Sequence, residues 1–523
     1  MEALRLPIGV GSAMKGSPQT AKTRMGAMTA LRKLEFACLE VAPALVAAAV
    51  TAGRLGGGAA ALVGCGVFAC SWALGKGGYP LHLMPLGGAL ARGLAVLTGV
   101  LCAWLVSLTL VPLSATALIA PLLAAWIMLC FGLAFTERLE PRLAIRVAVI
   151  GSPALGAALA GELELLGLRR WELVGWIDFT DDGLPTPVGA PPRLGFAESM
   201  ETIVAEHDID LIVFGVRESE REAGEWLGVS SLGALERVIE VCVGLDLRVI
   251  GADQFFEHAF GHVPIAAINA AWFQYVIHPR FRSTPPLRKR LFDVAFAFGI
   301  AVVLAPLFLV AMVLVKLFGG PGPVFHVQRR VGEGGREYTL RKLRTMREDA
   351  EVAGTPAWSG DDDARQTRVG RVLRHTHLDE MPQLWNVVRG EMSVVGPRPE
   401  RRQFVQRLER ELPFYDRRLL VKPGLTGWAQ VSCGYAGSEA GTAWKLSYDL
   451  FYLKHRSAVF DLLIGVETIA VPLRDLRRPR SHGAGALVLP HHLRDPGPAS
   501  PAPHAPPATA VAEPVTFAQA RKR

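Results

Sequence analysis

The sequence predicts a membrane protein in three parts: four N-terminal transmembrane helices, a Rossmann-like α/β domain, and a mostly helical C-terminal unit entered through a re-entrant membrane helix. Three observations carry this. Four apolar runs near 36–52, 56–75, 86–109 and 112–135 each approach the ~20 residues that span a bilayer. Between 143 and 265 short apolar runs alternate with helical stretches. A fifth apolar run, 291–318, within the segment 288–318, sits between two basic clusters. At 523 residues the chain is too long for one ordinary core, and its 50% hydrophobic content is high for a protein that lives only in water. The net charge of +8 calls for anionic partners. In a chain with these spans, anionic lipid and a nucleotide-linked substrate fit better than nucleic acid, which is set aside.

Residues 1–35 form a basic cytoplasmic N-terminus carrying Lys15, Lys22, Arg24, Arg32 and Lys33, followed by the spans in 36–136. The first run is too long and too far from the terminus for a simple signal peptide. Lys76 and Arg92 in the second loop and Arg138, Arg142 and Arg146 at the exit place the N-terminus and everything after 136 in the cytoplasm, at a bacterial inner membrane. The cysteines show no CxxC or Cys/His spacing and read as reduced packing residues. RVAVIGSPALG from Arg146, WELVGWID ending at Asp178, and DIDLIVFGV at 208–216 read as strands of a small parallel sheet over 143–265. The Gly151–Gly156 turn is a weak dinucleotide fingerprint, because Pro153 stands where a second glycine would admit pyrophosphate; a structural or regulatory domain is expected.

In 288–318, Pro306 near the middle costs ~3 kcal/mol and one backbone bond, so a kink is expected. Arg288, Lys289 and Arg290 precede the run, and Lys316, Arg329 and Arg330 follow it. A spanning helix would place one cluster outside, against the positive-inside bias; a helix that breaks at Ala305–Pro306 and returns keeps both inside. Residues 319–475 mix arginine with aromatic and apolar residues, as suits a bilayer interface. The Pro/Ala-rich 480–523 read as a disordered tail.

The chemistry is concentrated between Arg371 and Pro399, where Asp379 and Glu380 lie between Arg371 and Arg374 on one side and Arg398 on the other. Arginine forks bind phosphate, and a carboxylate among them either holds a divalent cation or attacks phosphorus. Asp379 and Glu380 also stand just before Pro382 at a helix start, so a cap and a dipole contact would account for both. Two features favour chemistry: Arg368, Arg371 and Arg374 recur along a helix leading to the pair, and GPRP holds Arg398 in a rigid turn.

GGPGPVF (319–325), KLRTM (342–346), TRVGRVLRHTHLDEMPQLWNV (367–387), GEMSVVGPRPE (390–400) and VKPGLTGWAQV (421–431) resemble, in order, the motifs of the bacterial sugar transferase family. These are monotopic polyprenyl-phosphate hexose-1-phosphate transferases. The resemblance covers roughly 288–475, and the whole layout is similar to the long members that start exopolysaccharide synthesis, with a C-terminal spacing similar to the exosortase-associated branch. It implies that 319–475 is a monotopic catalytic domain in which Asp379 attacks the sugar-bearing phosphate of a UDP-sugar, expelling UMP. Polyprenyl (undecaprenyl) phosphate then takes the sugar phosphate from the aspartyl intermediate. It further implies that Glu380 assists, that Asp379 and Glu380 hold Mg2+, and that Lys342, Arg344, Arg398 and Arg374 contact phosphate. Ala305 stands where the family has serine before Pro306, and a homo-oligomer and other polysaccharide-assembly proteins stay open as partners.

Two other readings compete. A membrane-bound nucleotide-sugar dehydratase or reductase would use Tyr338 and Lys342 as a YxxxK pair. A non-catalytic membrane scaffold would use the arginines for lipid headgroups and Asp379 as a cap.

Overall fold

A computed structural model describes residues 37–55, 119–139, most of 144–215 and 240–268, then 286–347, 365–433 and 439–475, with short pieces between 61 and 101. A π-helical turn, Ala37–Val41, leads into α1 (Ala42–Leu55), and α2 spans Ile119–Leu139. The second and third apolar runs lie largely outside the described residues. Their described pieces join α1 and α2 in one buried cluster of Leu39, Ala47, Val63, Val67, Val96, Val100, Ala125 and Leu129. Gly99 permits part of this packing, since a Cβ there would stand 2.5 Å from the Gly66 carbonyl oxygen. Large apolar side chains such as Leu45, Leu123, Ile127 and Phe131 face outward.

The second unit is a five-stranded parallel sheet in the order β3-β2-β1-β4-β5. Its elements are β1 (Ile145–Ile150), α3 (Pro153–Leu166), β2 (Trp171–Asp178), β3 (Arg193–Phe196), α4 (Met200–His207), β4 (Leu211–Phe214), β5 (Arg248–Gly251) and α5 (Ala252–Phe260). β1 and β4 are almost continuously apolar because helices cover both sheet faces. Phe255, Phe256 and Phe260 of α5 pack with Leu155 and Leu159 on one face; Met200, Ile203 and Val204 pack on the other. Pro153, which spoils the glycine fingerprint, is the first residue of α3, where its fixed φ suits a helix start and its missing N–H has no partner to lose.

The sheet unit is docked onto the C-terminal unit through α5 and the segment after it. Glu257 is held by Lys454 at 2.7 Å and His455 at 3.0 Å, Trp428 Nε1 donates to the Gly261 carbonyl at 2.6 Å, and Val263 and Ile265 enter the C-terminal core.

α6 runs from Pro286 to Phe318. Among the described residues it is the helix long and apolar enough to cross a membrane; α1 and α2 carry shorter apolar stretches. The expected break at Ala305–Pro306 is absent, and Pro306 sits inside an unbroken helix. The proline removes one rung of the hydrogen-bond ladder, and the turns on either side keep theirs. Both ends pack on the same unit. Near the start, Ala297 enters the C-terminal core and Asp293 accepts from Ser393 Oγ at 2.9 Å; near the end, Ala311 and Val315 pack with Leu343 and Leu373.

The remaining elements are β6 (Phe325–Val331), β7 (Glu337–Leu343), α7 (Arg368–His375), α8 (Gln383–Arg389), β8 (Ser393–Val395), α9 (Arg402–Glu411), β9 (Gly424–Thr426), α10 (Trp428–Cys433), α11 (Glu439–His455) and α12 (Ala458–Asp475). β6 and β7 form an antiparallel hairpin, and β8 and β9 a short parallel pair. The core is aromatic, with Trp428, Tyr415, Phe451 and Phe460 fully buried.

Candidate active site

The acid pair is placed by three local events. Thr367 caps α7, its hydroxyl accepting from the Gly370 N–H at 2.9 Å. Gly370 lets that helix lie directly on the strand end, because a Cβ there would stand 1.9 Å from the Thr345 carbonyl oxygen. After α7, His377 takes a left-handed conformation, φ 56°, and a single 3-10 turn follows over Leu378–Glu380. That turn points Asp379 inward, where it is 5% exposed. Gly370→Ala is therefore expected to lower stability by on the order of 2 kcal/mol by overpacking, measured by thermal unfolding, and to reduce activity as α7 shifts.

Neither the 3-10 turn nor α8 carries a side-chain cap bond; Pro382 occupies the α8 cap position. The capping explanation for Asp379 thus has no hydrogen bond behind it. Its surroundings are charged instead. Burial, then Glu380, push the Asp379 carboxyl up to about 7, against the pull of Lys342, Arg374 and Arg398. Burial pushes the Lys342 ammonium down to about 8 against the opposing field of Asp379. Burial would also raise Glu380, but Arg398 outweighs it, donating to Oε1 at 2.7 Å and holding that carboxyl below its ordinary value.

Each expected site residue has a definite place. Lys342 lies near the end of β7, paired with His326, in the electrostatic reach of Asp379. Arg374 acts on Asp379 and donates through Nε to Thr345 Oγ1 at 3.1 Å. Arg398 holds Glu380. The Arg344 guanidinium donates to the Pro321 carbonyl and, at 2.7 Å, to the Gly320 carbonyl, so it braces the GGPGP loop. Arg368 and Arg371 are exposed on α7 and do not reach the pair. Tyr338 lies on β7, in the hairpin and not in the parallel sheet, which removes the structural basis of a YxxxK pair serving a dinucleotide.

Residues 285–475 match the family model described as bacterial sugar transferase. Over 197 residues the chain is 38% identical to "Exopolysaccharide production protein ExoY" of Sinorhizobium fredii, a match covering 35% of this chain and 84% of that protein. The chain belongs to the bacterial sugar transferase family. It is also 37% identical over 260 residues, half of its own length, to "UDP-N-acetylgalactosamine-undecaprenyl-phosphate N-acetylgalactosaminephosphotransferase" of Aeromonas hydrophila. It is 43% identical over 183 residues, 34% of its length, to "UDP-glucose:undecaprenyl-phosphate glucose-1-phosphate transferase" of Xanthomonas campestris. The chain covers 58% of the Aeromonas protein and 37% of the Xanthomonas protein, less than two thirds of either.

Adjacent carboxylates are hard-oxygen donors of the kind a divalent cation accepts. Among the described residues no cluster of three or more His, Cys, Asp or Glu side chains forms a protein-only metal cage. Asp379 and Glu380 offer two adjacent carboxylates, and Mg2+ commonly takes one or two such groups plus substrate phosphate.

Sequence reasoning missed Arg330 and Arg418. Arg330 NH1 donates to the Pro399 carbonyl at 3.0 Å, and Arg418 NH2 donates to the Arg398 carbonyl at 2.9 Å. One signal was present: β6 alternates in reverse, with Phe325 and Val327 outward and His326, Gln328 and Arg330 turned in. Polar residues on the inner phase of a strand announce polar work there.

Proposed function

We propose that this protein transfers hexose-1-phosphate from a UDP-sugar to polyprenyl (undecaprenyl) phosphate as the first membrane step of exopolysaccharide synthesis. The observation that carries the reading is Asp379: a buried carboxylate that caps no helix, set among Lys342, Arg374 and Arg398. A carboxylate oxygen of Asp379 attacks the sugar-bearing phosphorus, the bond to the UMP oxygen breaks, and UMP leaves with the electron pair. A phosphate oxygen of the lipid then attacks the same phosphorus and releases the Asp379 carboxylate, leaving polyprenyl diphosphosugar. Lys342 and Arg374 balance the charge on the nucleophile, and Arg398 keeps Glu380 ionised beside it. Asp379 and Glu380 would hold a Mg2+ ion, which would supply charge neutralisation for the departing UMP.

The protein sits in the bacterial inner membrane with four N-terminal spans and with both the sheet unit and the catalytic unit cytoplasmic. The outward apolar side chains of the N-terminal cluster support the spans. α6 lays its exposed apolar surface into the cytoplasmic leaflet, a reading supported by the packing of both its ends on one unit. Exposed Val372, Trp385 and Val388 lie on helices neighbouring α6 and suit the interface from which a lipid phosphate would arrive.

The test is UMP release by full-length protein in membranes against a panel of UDP-sugars, with and without undecaprenyl phosphate. One UMP per enzyme is expected without lipid, and sustained turnover with it; EDTA stops both and Mg2+ restores them. UDP-sugar consumed with no UMP formed would overturn the reading. Cysteine labelling at introduced sites after residue 330 is expected from the cytoplasmic side only.

A further inference from the structure

We propose that Arg418, held by Asp449 and Tyr415, is a positioning residue that fixes the Arg398 turn by gripping its carbonyl; this rests on the transfer reading above. The turn Pro397–Glu400 cannot brace itself well, because Pro397 and Pro399 have no N–H to donate. Each of its four carbonyls is instead held from outside. Pro397 O accepts from the Gly424 N–H at 2.9 Å, Arg398 O from Arg418 at 2.9 Å, Pro399 O from Arg330 at 3.0 Å, and Glu400 O from the Val331 N–H at 2.9 Å. The backbone donors serve the rim, and guanidinium groups serve the centre.

Arg418 is itself held by a matched set. It is 6% exposed, pairs with Asp449 at 2.9 Å, and donates through NH1 to the Tyr415 hydroxyl at 2.7 Å and through Nε to Asp449 at 3.1 Å. A buried ion pair is a poor way to gain stability, since well-packed apolar residues do as well. What apolar residues cannot supply is a directed N–H at a fixed carbonyl. That carbonyl belongs to Arg398, whose guanidinium lies 2.7 Å from Glu380. Asp449 and Tyr415 therefore act on the acid pair through one backbone contact.

The test compares Arg418→Lys, Arg398→Ala and the double variant in steady-state UMP release. Arg418→Lys keeps the charge and loses the fork. The expected result is a fall in kcat/KM of up to about a hundredfold, as for a group displaced by an ångström, including a raised KM for the UDP-sugar. A merely structural role lowers the active fraction and leaves KM unchanged, which would overturn the proposal. The double variant is expected to be no slower than Arg398→Ala, and multiplying losses would overturn it equally. Tyr415→Phe, which removes one of the partners of Arg418, is read the same way where Arg418→Lys fails to fold. Wild-type protein that releases no UMP from any UDP-sugar defeats the transfer reading itself and is distinguishable from both outcomes.

Discussion

Asp379→Asn is expected to abolish transfer of sugar phosphate to undecaprenyl phosphate and, in the same protein, to raise the unfolding temperature of the C-terminal unit at pH 8 in EDTA. The first effect is loss of the nucleophile, roughly 10⁴-fold or more. The second follows from the raised carboxyl. A carboxyl that titrates near 7 in the fold and at its ordinary 3.8 in the unfolded chain holds its proton more tightly when native. Its ionisation therefore opposes folding, not at all below 3.8, increasingly as pH rises towards 7, and fully above that. At pH 8 the opposition is on the order of 3 kcal/mol, and Asn, which keeps the shape and never ionises, removes it. A helix cap behaves otherwise: Asn caps as well as Asp, and Ala costs about 1 kcal/mol. Transfer by purified Asp379→Asn, or a fall in melting temperature for Asp379→Ala at pH 8, would return Asp379 to the role of a cap.

Lys342→Met lowers UMP release at pH 7 by about one to two orders of magnitude and makes the rate climb with pH to 9 and beyond. In the wild type Asp379 must be ionised and Lys342 protonated, so activity rises through pH 7 and declines above about 8. The two limbs belong to the coupled pair and not to either residue alone. Removing the ammonium takes away the largest of the charges that favour ionised Asp379, so its carboxyl titrates higher and the acidic limb moves up. The alkaline limb, which reports the loss of Lys342 charge, disappears. A pH–rate profile settles the matter: an acidic limb that stays in place would show that Lys342 does not act on Asp379.

The parallel sheet was legible from its apolar strands, because each strand is written in a few consecutive residues. What the sequence hid depends on distant partners. Arg344 sits in a motif that suggests phosphate, yet its fork meets carbonyls 23 and 24 residues earlier. Arg368, Arg371 and Arg374 do lie on one helix, as their spacing suggested, but steps of three drift around a 3.6-residue turn, and only the last residue reaches the acids. Arg418 meets Asp449 31 residues later and the Arg398 carbonyl 20 residues earlier, separations no local pattern encodes. Pro306 reads in sequence as a break, because a proline does not say how many neighbouring turns hold the helix together.

The first turns of α6 carry a timing constraint. Lys289 finds Asp461 172 residues further along, at 2.6 Å, and Asp293 finds Ser393 after 100 residues. Until the ribosome has made those partners, a charged pair at the mouth of an apolar helix has only each other, lipid headgroups and water. The first turns of α6 therefore gain their final partners only once the chain through Asp461 has been made.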